Sequence, residues 1–216
     1  MTLRQRLQLY FIMGSDDCLH APEQVVEEAL AGGITLFQFR EKGARAHSDT
    51  ATRALALELQ QRCRRHDVPF VVNDDVELAL AIGADGVHVG QQDESVAAIR
   101  ARCPRNFIIG ASAISREEAE RASREGADYL GIGPVLATGS KADAERPIGL
   151  QGLADILPFT GGLPTVAIGG IDASCCARVM RTGVDGVAVI SAISRAAAPR
   201  QAAAGLKSLT ARQPAD

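Results

Sequence analysis

The stretch "AIGADGVHVG" at residues 81–90 passes in ten residues from a segment with helical spacing, through a glycine and an aspartate, into an apolar run of alternating side chains. "REGADYLGIG" at 124–133 and "RTGVDGVAVI" at 181–190 do the same, about 40 to 60 residues apart, and "LAGGITLFQFR" at 30–40 is a looser fourth copy. Glycine at these points suits a left-handed helix C-cap. Working outward, the four copies fall on the second, fourth, sixth and eighth of eight short apolar runs. The runs begin at Leu9, Ile34, Pro69, Asp85, Asn106, Asp128, Pro164 and Asp185. Between them lie longer segments with helical spacing, such as "PEQVVEEALAGG", "SDTATRALALELQQRCRR", "SREEAERASREG" and "SCCARVMRTG". A two-unit period over eight βα units predicts an α/β fold, a (βα)₈ TIM barrel in one domain over residues 1–216. An open doubly wound sheet is the alternative that gives the same alternation. The Ala-rich segment from Ala196 predicts a last helix, followed by a short frayed tail from about 211.

Composition narrows the function classes. Hydrophobic residues make up 46% and charged residues 23% of the 216, the balance of a soluble globular chain with its own core. A net charge of -3 with no Trp and two Tyr argues against nucleic acid as a partner. No apolar run is long enough for a signal peptide or a membrane span. The five cysteines form neither a CxxC pair nor a disulfide framework, so reduced thiols in a cytoplasmic protein are expected. Self-association is left open.

In a barrel, ligands gather where strands end. Within "LFQFR", Phe37 and Phe39 share one face while Gln38 and Arg40 share the other. With the phenylalanines under the helices, Gln38 and Arg40 point inward, needing partners that a ligand would supply, and Lys42 follows. An exposed turn is the alternative. Only three of the 23 basic residues are lysines, and two of these, Lys42 and Lys141, follow strand ends. There an ammonium can meet phosphate or form a Schiff base.

Carboxylates close two neighbouring strands, Asp74 with Asp75 after the third and Asp93 after the fourth. Converging carboxylates can hold one Mg²⁺, and helix capping is the competing role for each. Asp75 reads better as a cap of "VELALAIG", whereas Asp74 reads equally as ligand or capping-box residue. The long hydroxyl-rich run "GIGPVLATGSKADAERPIG" has Thr138, Ser140 and Lys141 at its polar tip and resembles an anion-binding loop. Gly170, Ile190 and Ser191 follow the seventh and eighth strands, where many barrels cradle phosphate on backbone N–H groups. His88 points inward, as a buried structural residue before an acid or base.

Taken in order, "FQFREKG", "VVNDD", "DGVHVGQQD", "GAS", "GIGPVLATGSK", "AIGGI" and "VISAIS" resemble the thiamine phosphate synthase family over roughly Leu9 to Leu209. The resemblance implies a Mg²⁺-dependent transferase joining a hydroxymethylpyrimidine diphosphate to a thiazole phosphate. It implies that Gln38, Phe39, Arg40, Glu41, Lys42, Asn73, Ser112 and Lys141 bind the pyrimidine diphosphate, with Arg40, Ser112 and Lys141 catalytic. Asp74 and Asp93 match the metal ligands, and Thr138, Gly139, Ser140, Gly170, Ile190 and Ser191 match the thiazole phosphate site. The family loop often reads Thr-x-Thr-Lys; here Ser140 keeps the hydroxyl. Related thiazole tautomerases share the barrel but are not expected to keep both aspartates, so "NDD" with "GQQD" favours the synthase. A non-catalytic phosphate-binding barrel and a Schiff-base aldolase using Lys42 or Lys141 complete the alternatives.

Overall fold

The computed structural model describes residues 1–42, 49–139 and 145–211. Among them, eight parallel strands close on themselves in sequence order, each hydrogen-bonded to the next and β8 back to β1. The strands are β1 Leu9–Met13, β2 Leu36–Phe39, β3 Phe70–Asn73, β4 Gly86–Val89, β5 Ile108–Ala113, β6 Tyr129–Ile132, β7 Thr165–Ile168 and β8 Gly186–Val189. Each lies within the apolar run expected for it except β5, which continues one residue past "NFIIGAS" to Ala113. The open-sheet alternative falls, because β1 pairs with β8 from Leu9↔Val187 to Phe11↔Val189. The tail from about 211 lies largely outside the described residues.

Side-chain alternation divides the core into two layers. Phe11, Phe37, Phe39 and Phe70 face outward, their rings in edge-on, tilted and stacked contact beneath the helices. Each fully buried ring of this size contributes on the order of 2–3 kcal/mol. Tyr10, Ile12, Leu36, Val71, Tyr129, Val166 and Ala188 face inward and fill the barrel. Around it stand α2 Pro22–Ala31, α3 Asp49–Arg65, α4 Val76–Ala81, α5 Val96–Arg102, α6 Arg116–Glu125, α7 Gly149–Ile156, α8 Cys176–Met180 and α10 Pro199–Thr210. Two short helices are added, α1 Leu3–Arg6 before β1 and α9 Ser191–Ser194 after β8.

The internal repeat has a physical basis at the N-terminal ends of the strands. Asp85 Oδ2 accepts the Phe70 N–H at 2.8 Å, Asp128 Oδ2 accepts Ile109 N–H at 2.7 Å, and Asp185 Oδ2 accepts Thr165 N–H at 2.9 Å. Thr35 Oγ1 takes the same place in the looser copy, accepting Leu9 N–H at 2.9 Å. Each side chain that precedes an even strand thus satisfies a backbone donor at the start of the odd strand before it, a group that would otherwise be left unpaired in the core. The repeat glycines Gly33, Gly83, Gly126 and Gly183 all have positive φ, the left-handed helix exit expected of them.

Candidate active site

At the opposite end, where the strands finish, their loops enclose a cavity of about 830 Å³. Arg40, Lys42, Asn73, Asp74, Asp93 and Ser112 line one part of it. Thr138, Gly139, Gly170, Ile190 and Ser191, from the loops after β6, β7 and β8, line it as well. Residues separated by more than 150 positions in the chain therefore meet in one space. Ser140 and Lys141 lie outside the described residues.

Three expected site residues turn elsewhere. Gln38 points inward as its strand position requires but lies under the cavity, donating through Nε2 to the Tyr10 hydroxyl at 2.6 Å. The partner expected from a ligand is supplied by the fold. Phe39 packs in the outer core against Phe70. The Glu41 carboxylate accepts from the Ser15 N–H at 3.0 Å and from the Ser15 hydroxyl, tying the ends of β1 and β2 together.

The two acids after β3 separate cleanly. Asp74 N–H donates to the His88 carbonyl at 2.8 Å and Asp75 N–H to the Asn73 carbonyl at 2.7 Å, so the chain leaves the strand in a tight turn. Asp74 has φ 59°, a left-handed conformation that Asp and Asn tolerate better than most residues. The turn sends the two side chains apart. Asp75 accepts Leu78 N–H at 2.8 Å and caps α4. Asp74 faces the cavity, where Lys42 Nζ lies 2.5 Å from its Oδ2.

Asp93 is released from capping because Ser95 caps α5 instead, accepting from Ala98 N–H at 3.3 Å. One Asp93 oxygen accepts Gly90 N–H at 2.8 Å, bending the loop so that the carboxyl reaches Asp74. Burial pushes the Asp74 carboxyl above its ordinary range; the Lys42 hydrogen bond opposes that and Asp93 reinforces it. Two carboxyls in contact, Asp74 partly buried and Asp93 exposed to the cavity mouth, form a hard-oxygen donor pair that suits Mg²⁺. Among the described residues no cluster of three or more His, Cys, Asp or Glu could hold a metal, so substrate oxygens and water would complete the shell.

The far wall is built from backbone. Gly170 has φ 67°, and a Cβ there would lie 2.5 Å from the Ala137 carbonyl, so the turn after β7 packs directly on the loop after β6. Cys175 fixes that turn from below, its thiol 3.8 Å from the Gly170 carbonyl and accepting Asp172 N–H at 3.3 Å.

Several lining residues were not anticipated, among them Gln91, Glu118, Glu145, Asp172 and Arg195. Gln91 donates to the Ser112 carbonyl and accepts from Arg121, bracing β5 against the loop after β4. The "GQQD" motif contained the signal for it, since all four of its residues, from Gly90 to Asp93, line this rim. Arg195, with Arg40, places positive charge near Asp17, whose carboxyl is pushed up by burial and held back by the Gly14 N–H bond and these two arginines.

A family model described as thiamine monophosphate synthase matches residues 9–193. A thiamine-phosphate synthase of Geobacillus kaustophilus is 50% identical over 204 residues, 94% of this chain and 92% of that protein. One of Bacillus licheniformis is 47% identical over 201 residues, covering 93% and 89%. A solved thiamine phosphate pyrophosphorylase from Pyrococcus furiosus superposes with a TM-score of 0.86 at 40% identity, covering 97% of this chain and 98% of the other. A 3-hexulose-6-phosphate synthase, with a TM-score of 0.69 at 17% identity, shares the fold alone.

Proposed function

As a member of the thiamine monophosphate synthase family, this chain is a transferase of thiamine biosynthesis. We propose that it joins 4-amino-2-methyl-5-(diphosphooxymethyl)pyrimidine to 4-methyl-5-(2-phosphooxyethyl)thiazole, or its carboxylated form, with Mg²⁺. The observation that carries this reading is the Asp74–Asp93 pair beside Lys42, at one end of a cavity whose other end is a glycine turn. One end suits a diphosphate and the other a phosphate monoester.

In this reaction the bond between the pyrimidine methylene carbon and the diphosphate oxygen breaks, and its electron pair leaves with pyrophosphate. The thiazole nitrogen then donates its lone pair to the methylene carbon. Asp74 and Asp93 would hold Mg²⁺, which supplies positive charge to the departing diphosphate when bound. Arg40 is nearly buried at the cavity floor, so its charge is weakly screened there and opposes the charge that grows on the leaving group. Lys42 already sits on Asp74 and adds a second cation on the same side. Lys141 is expected to join them from the loop after β6. Asn73 and Ser112 orient the diphosphate substrate; Glu41 and Phe39 serve through the backbone and packing of their segment.

Thr138, Gly139, Gly170, Ile190 and Ser191, with Ser140 from the same loop, hold the thiazole phosphate so that its nitrogen faces the methylene carbon. No general base is needed, because no proton has to be removed for the bond to form. The work left to the protein is placement and exclusion of water, which would otherwise trap the cationic methylene.

The test is turnover with both substrates, with each alone, and with Mg²⁺ removed. Thiamine phosphate should appear only with both substrates and metal. Isomerisation of a thiazole phosphate without pyrophosphate release would instead establish the tautomerase reading.

A further inference from the structure

A line of hydrogen bonds crosses the barrel interior beneath the cavity, through a layer otherwise filled by Leu36, Val71, Val166 and Ala188. Gln38 Nε2 donates to the Tyr10 hydroxyl at 2.6 Å, and the Tyr10 and Tyr129 hydroxyls are 2.8 Å apart. The Tyr129 hydroxyl is 2.9 Å from His88 Nδ1, and His88 Nε2 is 2.9 Å from Ser112 Oγ. Polar groups this deep are costly unless each link is made. The fold makes room for this one with glycine. A Cβ on Gly110 would lie 2.1 Å from Tyr129 Cζ and 2.5 Å from His88 Nδ1, and one on Gly131 would lie 3.1 Å from His88 Cε1. A side chain at residue 110 would break the Tyr129–His88 link.

The line has a direction. An amide N–H can only donate, so Tyr10 oxygen accepts from Gln38 and sends its own proton to Tyr129. Tyr129 in turn donates to His88 Nδ1. A neutral imidazole that accepts at Nδ1 carries its proton on Nε2, which then donates to Ser112 Oγ. Ser112, already accepting, has its hydroxyl hydrogen left for the cavity. Reversing the Gln38 amide would reverse every link, and Ser112 would spend its proton on His88.

We propose that this relay fixes Ser112 as a hydrogen-bond donor to an acceptor atom of the diphosphate substrate, and that Tyr10, Tyr129 and His88 are positioning residues acting through Ser112. The identity of the acceptor rests on the transferase reading above; the direction of the relay does not.

The experiment has two readouts. Protein labelled with ¹⁵N at the histidine rings, its His88 signal identified by loss in His88→Gln, should show His88 protonated at Nε2 and bare at Nδ1. In Tyr129→Phe the tautomer should no longer be fixed. Kinetically, Tyr129→Phe should lower kcat roughly tenfold, the worth of one hydrogen bond to a charged group, with the thiazole phosphate KM unchanged. In a Ser112→Ala background the same change should cost nothing further. Should Tyr129→Phe fold poorly, Tyr10→Phe tests the relay one step earlier, by removing the Gln38–Tyr10 and Tyr10–Tyr129 bonds that set the direction of the Tyr129 proton. An Nδ1-protonated His88 in the parent protein, full kcat in the Phe variants, or losses that multiply with Ser112→Ala would each overturn the relay. A parent protein that makes no thiamine phosphate would refute the transferase chemistry instead, while the ring-nitrogen signals still decide the relay.

Discussion

Replacing Asp74 and Asp75 separately should give opposite outcomes from neighbouring positions. Asp75 makes one capping bond, at 2.8 Å to Leu78 N–H, from an exposed position. Asp75→Ala should therefore cost about 1 kcal/mol of stability, a drop in Tm of about 2–4 °C, and leave turnover near parent level. Asp74→Asn keeps the side-chain shape and a residue type that accepts the φ of 59° at that turn, so the fold should survive. It removes a carboxyl whose proton affinity burial and the neighbouring Asp93 raise, so metal-free stability should hold or rise. Loss of a direct ligand should exceed the effect of an outer-shell change and weaken Mg²⁺ activation by about a hundredfold or more. Pyrophosphate release titrated with Mg²⁺, beside thermal unfolding of both variants, reads the two effects separately. Equal loss of activity from both variants, or an unaltered Mg²⁺ midpoint in Asp74→Asn, would refute the division of roles.

Asp185→Ala, at the end of the barrel remote from the cavity, should leave Thr165 N–H unpaired and cost about 2–3 kcal/mol, seen as a Tm lower by several degrees with both KM values unchanged. Gly170→Ala should push the turn after β7 off the Ala137 carbonyl and raise the thiazole phosphate KM about tenfold or more in steady-state assays. Burial and the nearby acids Asp17, Glu41 and Glu23 push the Cys18 thiol up to about 12. At pH 8.5 its alkylation, followed by peptide mass spectrometry, should therefore run about two to three orders of magnitude slower than that of a free thiol; a rate like the free thiol's would contradict that environment.

Legibility followed the dimensionality of the feature. The strands were readable because burial on one or both faces leaves a one-dimensional trace, and the repeat of Gly and Asp marked the quarter-barrels. The job of those aspartates was not readable, since Asp85, Asp128 and Asp185 each reach back 15 to 20 residues to a donor on the previous strand. Strand-end carboxylates announced Asp74 and Asp93, and the capping rule separated out Asp75. For Gln38 the alternation gave the direction correctly but not the partner. Tyr10 and Tyr129 read simply as strand residues, and their meeting across the interior depends on barrel closure and on the space left by Gly110. Gln91 after β4, Glu118 in the first turn of α6 and Arg195 at the end of α9 share no periodicity, and only the closed ring of strands brings them to one rim.

The most direct measurement supplies the pyrimidine diphosphate with ¹⁸O at the bridging position, together with the thiazole phosphate and Mg²⁺, and follows both products by mass spectrometry. Thiamine phosphate and pyrophosphate should appear one for one, with all of the label in pyrophosphate and neither product formed when the metal is chelated. Label left on a pyrimidine alcohol, metal-independent turnover, or no thiamine phosphate would contradict the proposed transfer, in which the bond from carbon to the pyrophosphate oxygen breaks and a carbon–nitrogen bond replaces it.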